Sequence, residues 1–132
     1  MPVPDFNIED PYRSGLALAR AGNYFEAHEA FELAWRAAEP EEREFFQGLV
    51  HAVVYAYQDG RGRPVGAERQ RVKAIRRLGG YAPVHRRLDV ARLLSALGRR
   101  EPDLREQLVE SDPQPPVAVE EEQQPEDDQR RA

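Results

Sequence analysis

Cysteine is absent from all 132 residues, which excludes disulfides and thiolate metal sites and fits a reducing compartment. Tryptophan occurs once, beside ten Phe and Tyr residues, so a core can form but not a large one. Long apolar runs are missing. Residues 49–57 form one of the longest and already contain His51, far short of the ~20 residues needed to span a bilayer. The N-terminal MPVPDFNIEDPYR has neither the basic segment nor the apolar segment of a secretory signal. From these absences the expectation is a cytoplasmic protein with no membrane partner. No segment alternates apolar and polar residues for long enough to form a strand. Neither GxGxxG nor GxxxxGK[ST] occurs, so no nucleotide-phosphate cradle is indicated. HEAFE is not HExxH, and the paired ExxH of di-iron bundles is missing as well.

What remains is a chain of one domain's length, 40% hydrophobic and 33% charged. Its net charge of −5 is unevenly distributed. Residues 1–60 carry eleven acids and four bases, residues 61–100 two acids and twelve bases, and residues 101–132 eleven acids and three bases. The basic middle could hold a polyanion or an acidic protein weakly through residues 61–100, in competition with the acidic end. From Glu110 onward ESDPQPPVAVEEEQQPEDDQRRA offers four prolines and eight acids, and no aromatic residue. Such a composition cannot offset its own ordering entropy. The division expected is a helical domain over 1–105 and an acidic, proline-rich, disordered tail over 106–132.

Punctuation divides the domain into about five short helices, an all-α compact bundle. Asp10-Pro11 reads as a helix start and Gly22 as the glycine that follows its end. Asn23, with Glu26 three residues on, is in capping-box register for a second helix over 24–38. Glu39-Pro40 opens a third over 41–58, with Glu41, Glu42 and Glu44 near its positive end. A fourth spans 65–78 and stops at Gly79-Gly80; Asp89 caps a fifth that ends at Gly98. Phe45, Phe46, Leu49, Val50, Val53, Val54 and Tyr57 lie nearly all round the third helix, marking it as the central element.

Polar residues interrupt these apolar faces. At about 100° per residue Tyr24, His28, Glu32 and Trp35 form one stripe, flanked by Phe25 and Phe31, and an aromatic stripe should face the core. His28 and Glu32 must then be buried or line a cleft. On the third helix Gln47, His51 and Tyr55 recur at four-residue spacing. Antiparallel pairing across residues 38–41 would set His51 level with Glu29 and His28, and Gln47 level with Glu32 and Arg36. His28, Glu32 and His51 could together supply three ligands to a divalent metal and leave an open position. Equally, His28–Glu32 could be an internal hydrogen bond that orients two helices, Trp35 core filler and Gly48 a close-packing point.

NYFEAHEAFELAWR followed by FFQGLVHAVVYAYQDGRGRPVGA resembles the bacterial and archaeal family called domain of unknown function 309. The resemblance rests on His28, Glu32 and Trp35 in HxxxExxW spacing and on Gln47, Gly48 and Leu49, over roughly residues 13–98. His51 stands where that family usually has Gln. The resemblance implies an all-helical fold and a motif associated with metal binding, with no assigned reaction.

Two functions stay open. One is a binding or scaffold module without chemistry, built around Tyr24, His28, Glu29, Glu32, Trp35, Gln47 and His51 and able to form a homo-oligomer. The other is a metal-dependent, hydrolase-like small-molecule site on His28 and Glu32. A solvent-reachable cleft at His28 favours the second; a dry, fully hydrogen-bonded pair favours the first.

Overall fold

The computed structural model describes residues 6–111. Most of the expected acidic tail lies outside the described residues. Within them the protein is all-α, with five helices: α1 (Glu9–Arg20), α2 (Tyr24–Ala37), α3 (Pro40–Gly60), α4 (Pro64–Leu78) and α5 (Val90–Gly98). Each of the first four packs against its successor, and α5 closes on α4.

The helix boundaries follow local chemistry. α1 begins a residue earlier than Asp10, because the Asn7 side chain accepts the Glu9 N–H at 3.0 Å. It ends in the expected glycine cap. Gly22 takes a φ of 84°, and the N–H groups of Gly22 and Asn23 reach back to the carbonyls of Ala19 and Leu18. Asn23 precedes α2 but makes no side-chain cap bond, so the capping box does not form. Pro40 and Pro64 occupy the first turns of α3 and α4, where a missing N–H costs nothing. Asp89 caps α5 through the Arg92 N–H.

α3 is the central element, buried through Phe45, Phe46, Gly48, Leu49, Ala52, Val53, Tyr55 and Ala56 between α2 and α4. Close approach there depends on Gly48, since a Cβ at that position would sit 2.6 Å from Leu78 Cγ. A second such point is Gly15 on α1, where a Cβ would overlap the Phe31 ring.

Two features depart from the sequence reading. Between α4 and α5 a small antiparallel hairpin forms, β1 (Val84–His85) with β2 (Leu88–Asp89). The packed chain also continues past residue 105. Leu104 and Leu108 are fully buried, Glu110 bridges to Leu88, and the Ser111 N–H donates to the Arg87 carbonyl at 2.7 Å. Ordered chain therefore extends at least to Ser111 and into the segment that composition assigned to the tail.

Candidate functional site

α2 turns Ala27, Phe31 and Ala34 into the core, with Ala38 just beyond its end. The stripe of Tyr24, His28, Glu32 and Trp35 is rotated by roughly 80° from that face, at ~100° per residue. It is half-buried at the edge where α2 meets α3, not pointed into the core as expected. Phe31 and the alanines around it took the core and left His28 and Glu32, with Tyr24 and Trp35, at its rim.

At that rim lies a groove of about 210 Å³ lined by Tyr24, Phe25, His28, Val54, Tyr57 and Gln58. Phe25 is 47% exposed, and its ring packs 5.2 Å from the His28 imidazole and 5.5 Å from the Tyr57 ring. His28 Nδ1 lies 3.0 Å from the Phe25 carbonyl, and Nε2 lies 3.5 Å from Glu32. Arg36 approaches the other oxygen of Glu32 at 3.6 Å. The pair is partly exposed at the lip of a groove open to solvent, the arrangement expected of a small-molecule or metal site, but no third ligand joins it among the described residues. Glu29, expected in support, is exposed. Trp35 is half-buried against the core, with its indole N–H lacking a partner among the described residues. Tyr24 anchors the far wall: its hydroxyl accepts the Leu104 N–H at 2.9 Å, and burial raises its pKa.

His51 does not join this groove. Its Nδ1 meets the Gln70 amide oxygen on α4 at 2.7 Å, so Nδ1 carries the proton and Nε2 is a bare lone pair. Nε2 is buried and unpartnered among the described residues. Burial lowers the His51 pKa, and the nearby charges of Arg77, Lys73 and Arg76 lower it further. Gln47 is half-buried on α3. The antiparallel count set His51 level with His28, but the α3 residues that share the groove with His28 are Val54, Tyr57 and Gln58, and His51 faces α4 instead. Among the described residues no group of three His, Asp or Glu side chains is arranged to hold a metal ion, so the set of His28, Glu32 and His51 does not assemble.

A second polar cluster, with no signal in spacing, lies at the hairpin. The Arg86 guanidinium binds Glu9 and Glu42 and stacks over the Tyr12 and Phe46 rings. His85 Nε2 is 3.0 Å from Glu42, and the Tyr12 hydroxyl donates to the Arg86 carbonyl. Burial would raise the Glu42 carboxyl, but the hydrogen bonds from Arg86 and His85 outweigh it and hold the group below its ordinary value. Its partners come from α1, α3 and the hairpin, 40 to 77 positions apart along the chain, which hides the cluster from any local pattern. Its charges satisfy one another, so it acts as a clamp.

No helix among the described residues is long and apolar enough to cross a membrane. No curated protein and no solved structure matches the chain. Residues 12–70, from α1 to the middle of α4, match the family model described as Domain of unknown function (DUF309), and over this segment the chain is similar to that family.

Proposed function

We propose that this protein is a binding module whose α2–α3 groove accepts one apolar or aromatic side chain from a protein partner. The observation that carries this is the exposed Phe25 ring, packed on His28 and Tyr57 beside a cavity of about 210 Å³. Pockets for free small molecules usually occupy ~300–1,000 Å³, so this volume suits an anchoring side chain better than a whole ligand. The walls are Phe25, Tyr57 and Val54, while the His28 imidazole and the Gln58 amide can meet a polar edge of the guest. Exposed Glu29 and Asp59 are next in sequence to the lining residues His28 and Gln58, while Arg61 lies over the Tyr57 wall, so a basic residue of the partner is favoured on the side away from Arg61.

The test uses a synthetic peptide with a single tryptophan flanked by arginines, titrated into isotope-labelled protein. Amide shifts confined to residues 24–32 and 54–58, lost in Phe25→Ala, support the proposal. No shifts at millimolar peptide, or shifts centred elsewhere, overturn it. His28→Ala serves as a companion variant. Its pair with Glu32 is partly hydrated, so the variant should fold with a loss below about 1 kcal/mol, while its peptide affinity falls.

A further inference from the structure

α4 presents Val65, Arg69, Val72, Lys73 and Arg76 to solvent. At ~100° per residue these five share an arc of about 100° on the side away from the core. The two valines are large apolar exposures, at 66% and 47%. Five other cations of this basic region are ion-paired, Arg71 and Arg100 with Glu68, Arg77 with Glu44, Arg86 with Glu9 and Glu42, and Arg87 with Glu110, while Arg61, Arg63, Arg92 and Arg99 lie off this face. Arg69, Lys73 and Arg76 have no carboxylate in ion-pair range among the described residues. The result is a helix face of alternating aliphatic and cationic character, separate from the α2–α3 groove. A phosphate backbone would use the cations and leave the valines idle. A strand of acidic protein with its own aliphatic residues would use both.

The chain carries such a segment. Val117, Ala118 and Val119 are followed by Glu120, Glu121 and Glu122, then by Glu126, Asp127 and Asp128. We propose that residues 117–128 dock on the outward face of α4, the valines meeting Val65 and Val72 and the acids meeting Arg69, Lys73 and Arg76. Reach permits this. Ser111 is tied to Arg87, and at ~3.3–3.6 Å per residue Val117 lies up to about 20 Å beyond it and Glu122 up to about 40 Å. A folded body of this length has a radius of gyration of only about 13 Å. Tethering raises the effective concentration of the segment to the millimolar range, so weak, exposed ion pairs suffice. Docked there, the segment screens α4 from other anions.

The absence of cysteine and the presence of one lysine, Lys73, make the test direct. A nitroxide on Gln123→Cys in the full chain should strip most of the amide signal intensity from Arg69, Val72, Lys73 and Arg76 at low salt. The signals should return at ~1 M salt, where screening acts within about 3 Å, and in the chain that also carries Arg69→Glu and Arg76→Glu. Carbodiimide coupling should join Lys73 to a carboxylate of residues 120–128 within the monomer. Broadening centred on another face, or none, overturns the proposal. So does broadening transferred to an unlabelled second copy, or coupling of Lys73 only to Glu44, Glu68 or another chain.

Discussion

Burial holds the His51 imidazole below its ordinary pKa, and this has a defined consequence for stability. Unfolded, the group takes a proton near pH 6.5, while the folded protein resists doing so. Between these two values the unfolded state binds more protons, so stability falls as pH drops through 6.5 toward the lower folded value. His51→Gln keeps an amide opposite Gln70 and removes the titration. Its unfolding free energy, measured by denaturant at pH 7.5 and 5.5, should differ less between the two than that of the native chain. An equal difference in both proteins would show that other groups govern this range. Gly48 poses a steric question instead. With Leu78 Cγ 2.6 Å from the site of a Cβ, Gly48→Ala should cost about 1–3 kcal/mol despite alanine's better helix propensity. A gain in melting temperature would show that α3 and α4 can separate without penalty.

At the scale of elements the hairpin is the informative piece. Its turn residues Arg86 and Arg87 have φ of 48° and 65°, the left-handed pair required by a two-residue turn of the mirror-image type. Asn-Gly would announce such a turn; Arg-Arg does not, and each non-glycine residue there carries strain of about 1–3 kcal/mol. The clamp holds it. Arg86 is tied to Glu9 and Glu42, and the Arg87 backbone accepts the Ser111 N–H. The two arginines should therefore respond oppositely to glycine. Arg86→Gly loses the ion pairs and the ring stacking, and should cost about 2–3 kcal/mol. Arg87→Gly gives up one exposed contact with Glu110 while relieving strain, and should be neutral or stabilising. Thermal unfolding of the two variants side by side checks this; a larger loss for Arg87→Gly would contradict it.

For the molecule as a whole, the acidic end divides at Ser111. Ending the chain after Arg105 removes the buried Leu108, its carbonyl's bond from Arg20 and the Leu88–Glu110 bridge. By comparison with other buried leucines, that loss should reach at least about 2–5 kcal/mol. Ending it after Ser111 keeps all of these, and docking through exposed ions should add less than about 1 kcal/mol. Melting temperatures of the two truncations should differ by many degrees, and equal values would place Leu108 outside the cooperative core. The charge layout takes on meaning at this scale too. Acids of the first sixty residues return to pair with arginines of the middle region, as Glu44 does with Arg77 and Glu42 with Arg86.

Periodicity and punctuation alone determined the five helices, the central place of α3, the glycine cap at Gly22 and the aspartate cap at Asp89. Each is a contest among neighbours within a few residues, whether for a backbone N–H or for one apolar face. Gly48 as a point of close helix approach was legible for the same reason, since it interrupts an otherwise large-residue face. Tertiary packing decided which flank of the aromatic stripe on α2 went inside. Phe31 with the alanines around it won the core from the His28 stripe, because burying a polar pair costs more than leaving it at a rim. Packing also turned His51 toward Gln70, assembled the Arg86 clamp from three distant segments and drew Leu104 and Leu108 onto the body. These outcomes depend on partners far apart in the chain, and no local pattern can encode which of two neighbouring helices a side chain will meet.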